Sequence, residues 1–88
     1  MGIGENLKLL RQQRGWNQGT TAEKAGISQT HLSQIERGKI ETPHLSTIRE
    51  ILESLGVNSE RLIKLALKNL DSKTFLEFCQ KDSQFQTN

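Results

Sequence analysis

The sequence predicts an all-α protein: a compact five-helix domain followed by an extra C-terminal helix. Apolar residues recur at helical spacing in successive stretches, and glycines at positions 15, 26, 38 and 56 close the first four of them. Sheet is disfavoured by composition. Valine occurs once, tyrosine never, and no segment alternates apolar with polar residues.

The first helix is expected over Gly4–Arg14, where Ile3, Leu7 and Leu10 share a face that Glu5, Lys8 and Gln12 avoid. Asn17 has the chemistry to cap a second helix, Gln18–Ala25, and Ser28 a third, Gln29–Arg37, with Leu32 and Ile35 on its inner side. The fourth runs from Leu45 to Leu55, with Leu45, Ile48, Ile51, Leu52 and Leu55 as its apolar face. Pro43 lies just ahead of it, where proline can begin a helix but not continue one. Asn58 caps a fifth, Ser59–Asn69. Asp71 or Ser72 caps a sixth, Lys73–Gln80, and Lys81–Asn88 is polar apart from Phe85. The expected division is a helical domain over 1–70 and a C-terminal helix with a frayed tail over 71–88.

Eighty-eight residues make one domain with a modest core. Hydrophobic residues are only 33% of the chain, so the apolar positions must be well organised. A lone cysteine, Cys79, cannot form an intramolecular disulfide. Charges at Glu5, Lys8, Arg11 and Arg14 interrupt the N-terminal stretch as a signal peptide would not allow. No apolar run approaches the ~20 residues of a membrane span. A cytoplasmic protein with no membrane partner is expected. The net charge of +2 permits nucleic-acid binding without requiring it, so the position of each basic group matters more than the total.

The stretch from Gln18 to Arg37 carries the most information. A short helix ends at Ala25, turns through Gly26 and gives way to a second helix after Ser28. Two helices meeting at a steep angle need a small residue inside the first, a glycine in the turn and apolar residues facing inward. Ala22, Gly26 and the set Ile27, Leu32 and Ile35 supply these. The spaced pattern Gln18, Ala22-Glu23-Lys24-Ala25-Gly26-Ile27-Ser28 and Leu32-Ser33-Gln34-Ile35-Glu36-Arg37-Gly38-Lys39 resembles the lambda-repressor-like family, of Cro or xenobiotic-response-element type. Leu10-Arg11 and Gly15 upstream, and Pro43, Leu45, Ile48 and Leu55-Gly56-Val57 downstream, extend the resemblance over about Ile3 to Ile63. The chain departs from the family pattern at Thr21, where leucine is usual, at Gly19 and Thr20, and at Glu41 after Lys39.

The resemblance implies sequence-specific binding of double-stranded DNA, with the third helix in the major groove. Gln29, Thr30, Ser33 and Gln34 then face base edges. A glutamine amide carries both the donor and the acceptor that adenine requires, and Thr30 can hydrogen-bond or touch a thymine methyl. Gln18, Arg37, Lys39 and His44 fall near phosphate. Arg11 and Glu36 are implied to form an ion pair, half-buried at best, which orients the reading helix. Trp16 is expected to pack in the core rather than stack on bases.

On a helical wheel of ~100° per residue, Leu62, Ile63, Leu65, Ala66, Leu67 and Leu70 cover roughly 200°, more than the stripe of a little over ~100° that one core needs. Phe75, Leu76 and Phe78 add to that load. Either the sixth helix folds back over the fifth or a second subunit covers both. Small members of the family are typically homodimers, resembling the controller proteins of restriction–modification systems. Leu62, Ile63, Ala66, Leu67, Leu70, Phe75 and Phe78 are accordingly the expected dimer contacts, and a pseudo-palindromic operator the expected DNA.

The function this predicts is a transcriptional regulator, a repressor or autoregulatory controller. The alternative is an antitoxin or adaptor whose C-terminal helices bind a partner protein. No enzyme, metal site or cofactor is expected. No Ser/His/Asp or Cys/His arrangement and no phosphate-binding glycine loop is present. His31, His44 and Cys79 lack any metal-ligand spacing.

Overall fold

The computed structural model describes residues 2–40, 43–57, 64, 71 and 73–77. Among them are four helices, α1 (Ile3–Gln13), α2 (Gln18–Ala25), α3 (Gln29–Glu36) and α4 (Leu45–Ser54), and a helical stretch over 73–77. No strand occurs among the described residues. Helix ends fall within a residue of those the apolar spacing predicts, with Arg14, Arg37 and Leu55 as C-caps rather than helical residues. The expected fifth helix lies outside the described residues apart from Lys64, which is helical and exposed. The end of the sixth, with Phe78 and Cys79, lies outside them too.

Local chemistry sets these boundaries. The Asn17 side chain accepts from the Thr20 N–H at 2.8 Å, and Ser28 Oγ accepts from the His31 N–H at 3.0 Å. Each satisfies one of the donors left open at a helix start. Between α2 and α3, Gly26 sits at φ +76°, a left-handed conformation that glycine adopts without steric cost. The following residue, Ile27, donates its N–H back to the Ala22 carbonyl at 3.0 Å and closes the turn. Of the two residues able to cap the last helical stretch, Asp71 does so, accepting from the Thr74 N–H at 2.7 Å.

The core joins Leu7 and Leu10 of α1, Ala22 and Ala25 of α2, Leu32 and Ile35 of α3, and Ile48, Ile51 and Leu52 of α4. Leu55, Val57 and Phe75 complete it. α2 packs on both α3 and α4, and α1 packs on α3.

Two expectations are corrected. Leu45 does not join the buried face of α4 but is 46% exposed. It is the first residue of its helix, and helical side chains lean toward the N-terminal end, which carries it past the rim of the core. Phe75 is not available as a dimer contact, because it is fully buried within its own chain. Phe75, which lies in the stretch read from sequence as an extension, therefore belongs to the core of α1–α4.

Candidate nucleic-acid interface

α3 has two faces of different chemistry. Leu32, Ile35 and Glu36 are buried, while Gln29, Thr30 and Gln34 are exposed and Ser33 is half-exposed. Successive residues on a helix rotate by ~100°, so burying Leu32 and Ile35 directs the four polar side chains outward together. They line a groove of about 350 Å³ with Gln18, Arg37 and Lys39. All four base-reading candidates and three of the four phosphate candidates are thus gathered in one place. The fourth, His44, is the exposed N-cap of α4 and does not line the groove.

The C-terminal end of α3 brings the two cations to this groove. Past Glu36 the chain turns at Gly38, and the Lys39 N–H donates to the Gln34 carbonyl at 2.9 Å. Arg37 and Lys39 are both exposed, and no acidic residue lines the groove among the described residues. A second groove of nearly equal volume, about 330 Å³, lies between α2 and α4 and carries Glu23, Glu50 and Glu53 beside Lys24. Size does not separate the two, but charge does: a phosphate backbone is attracted to the first and repelled by the acidic side chains of the second.

Behind the groove is a polar network. Arg11 Nε donates to Glu36 Oε2 at 2.7 Å, and Arg11 Nη2 donates to Glu36 Oε1 at 3.0 Å. The Arg11 and Glu36 side chains are 9% and 2% exposed, so the pair is buried rather than half-buried at best. The reason lies in α1. A β-carbon on Gly4 would overlap the Ile35 carbonyl oxygen, so α1 lies directly against the last turn of α3, the turn that carries Glu36. Arg11 Nη1 also donates to the Trp16 carbonyl at 2.7 Å, and Gln18 Nε2 donates to Glu36 Oε1 at 2.9 Å. No buried side-chain nitrogen or oxygen among the described residues lacks a partner.

Trp16 is half-buried against the core, with Lys24 Nζ 5.4 Å from its ring centroid. At Thr21, where leucine is usual, the buried hydroxyl donates to the Asn17 carbonyl at 2.9 Å, which offsets the cost of burying it. The sequence reading did not find the seating of Gly4 on α3 or the bond from Gln18 to Glu36. An isolated glycine inside an amphipathic helix is a signal of close packing. A hydrogen bond between residues 18 positions apart leaves no local signal.

Two short helices packed together and joined at Gly26, with the outer face of the second carrying amides and cations, define a helix-turn-helix DNA-binding domain. Residues 4–68 match the model of the helix-turn-helix domain family, and the chain belongs to that family in its lambda-repressor-like form. It is 35% identical over 79 residues to an immunity repressor protein of Bacillus phage phi105, covering 83% of this chain and 54% of that protein. It is 34% identical over 61 residues to the uncharacterized HTH-type transcriptional regulator y4dJ of Sinorhizobium fredii, covering 69% of this chain and 78% of the other. To the antitoxin HipB of Escherichia coli it is 45% identical over 56 residues, covering 64% of this chain and 62% of HipB. The chain thus spans about half the length of the phage repressor. No solved structure matches it.

Proposed function

We propose that this chain is a sequence-specific DNA-binding transcriptional regulator, a repressor or autoregulatory controller, that reads the major groove with α3. The observation that carries this is the groove in which Gln29, Thr30, Ser33 and Gln34 stand beside Arg37 and Lys39, with no acidic residue in its lining among the described residues. Gln29 and Gln34 act on base edges, with Thr30 and Ser33 beside them. Gln18, Arg37, Lys39 and His44 hold phosphates and set the register of the helix on the duplex. The protein acts in the cytoplasm, by binding rather than by catalysis. No helix among the described residues is long and apolar enough to cross a membrane.

The working unit is a homodimer. The apolar excess of Leu62, Ile63, Ala66, Leu67 and Leu70, with Phe78, supports this reading, and a two-fold axis presents two reading helices at once. The operator is then a pseudo-palindrome with half-sites about 10 base pairs, ~34 Å, apart. Selection of duplexes from a random pool by the purified protein, with sedimentation of the free protein and of the complex, tests both statements. Recovery of a two-fold site bound by a dimer is the expected result. Selection that enriches no sequence sinks the regulator, and a monomer on a single half-site sinks the dimer.

A second reading has a specific observation behind it, the 45% identity to an antitoxin. Under that reading the protein binds its operator tightly only together with a partner protein. Operator titration with the pure protein separates the two.

A further inference from the structure

We propose that Glu36 is a positioning residue for DNA reading: its carboxylate fixes the orientation of the Gln18 amide at the edge of the groove. The inference rests on the reading of Gln18 as a DNA contact.

A glutamine amide has two chemically opposite ends, and a side chain free to flip presents either. Glu36 Oε1 accepts from Gln18 Nε2 at 2.9 Å, and an ionised carboxylate carries no proton to give to the other end. The amino end of Gln18 is therefore the end that faces Glu36. One N–H is spent there, and the second N–H and the carbonyl oxygen are left for the groove, which Gln18 lines with Gln29 and Gln34. Glu36 cannot turn away, because Arg11 Nε and Nη2 hold both of its oxygens and its side chain is 2% exposed. Arg11 is held in turn by the Trp16 carbonyl, one residue before the Asn17 cap of α2. A single buried network thus joins the last turn of α3 to the first residue of α2, and the part of it that reaches the groove is the Gln18 amide.

Glu36→Gln separates orientation from mere support. A glutamine at this position has one accepting end and one donating end. Whichever way it is placed, one end sets an amino group against an Arg11 donor, so the hold on the acceptor facing Gln18 is weakened and that amide is no longer fixed in one orientation. Each variant is checked for folding by the fluorescence of Trp16, the single tryptophan, and operator affinity is referred to the folded fraction. Gln18→Ala is expected to weaken operator binding about tenfold, or ~1.4 kcal/mol. Glu36→Gln should weaken it by a similar factor alone and by less than twofold in the Gln18→Ala background. An equal loss from Glu36→Gln in both backgrounds overturns the proposal while leaving Gln18 a DNA contact. A Gln18→Ala protein that binds like the parent removes Gln18 from the contacts, and the proposal with it. Should Glu36→Gln fail to fold, the wild-type Gln18 side-chain amide decides by NMR. One of its two protons exchanging more slowly with water supports the proposal, and two protons exchanging at free rates overturn it.

Discussion

Gly4 of α1 and Ile35 of α3 meet backbone to backbone, so closely that a β-carbon on Gly4 would overlap the Ile35 carbonyl oxygen. The obstacle is main chain, which cannot rotate aside as a side chain can. Gly4→Ala therefore forces α1 away from α3. Alanine favours helix by about 1 kcal/mol over glycine, but overpacking a fixed contact costs about 1–3 kcal/mol. A net loss of stability in urea melts is expected, although an alanine in an exposed helix would stabilise. A gain would show that α1 can lift off α3 without cost.

The same two helices are joined by Arg11 and Glu36, through two hydrogen bonds in a buried setting. Removing one partner strands the other away from water. Arg11→Ala and Glu36→Ala should each destabilise by about 3–5 kcal/mol, and the double variant by clearly less than the sum. A double-mutant cycle in denaturant melts measures the coupling, and additivity would mean that the pair contributes nothing as a pair.

Gln34 tests the reading helix itself. It is exposed in the groove, on the side of α3 opposite Leu32 and Ile35. Gln34→Ala should weaken binding to the selected operator by ~1–3 kcal/mol and relax the choice of base at one position. Affinities for the operator and for scrambled duplex are compared, and equal losses on both would remove Gln34 from base reading.

Much of this arrangement was legible because its causes are local. Asn17 and Ser28 cap α2 and α3 where side-chain chemistry places caps, and Gly15, Gly26, Gly38 and Gly56 all have positive φ at helix ends. The groove followed from the same periodicity, since fixing Leu32 and Ile35 inward fixes Gln29 and Gln34 outward. What the sequence left open depends on how helices approach one another. Periodicity assigns Phe75 to an apolar face but not to the subunit that buries it. It places Leu45 on the inner stripe of α4 without showing that the core ends one turn lower. The depth of the Arg11–Glu36 pair depends on how α1 is seated on α3, and Gly4 meets Ile35 across that contact, 31 residues away in the chain.

Phe75 gives that lesson a measurable form. It is fully buried with the residues of α1 to α4 although it follows α4 by more than one helix length. Phe75→Ala should destabilise the whole domain by about 3–5 kcal/mol, in one cooperative transition with α1–α4. Thermal unfolding followed at 222 nm and by Trp16 fluorescence should shift together. A shift confined to one probe would mean that the C-terminal stretch is an independent appendage.

Asp71 should make that docking sensitive to acid. The Thr74 backbone N–H, followed by the Thr74 side chain and then the charge of Lys73, holds the Asp71 carboxyl below its ordinary range. The group binds its proton less readily when folded than when unfolded. Its contribution is therefore complete above the unfolded value of about 4, and is lost as pH falls through the lower folded value. Asparagine caps a helix about as well as aspartate and does not titrate. Asp71→Asn should consequently be nearly as stable as the parent at low pH and lose less stability as the pH falls below about 4, the unfolded value, through the lower folded one. Parallel denaturant melts across this range check the difference. Identical pH profiles for the two proteins would show that the Asp71 cap does not hold the segment carrying Phe75 onto the core.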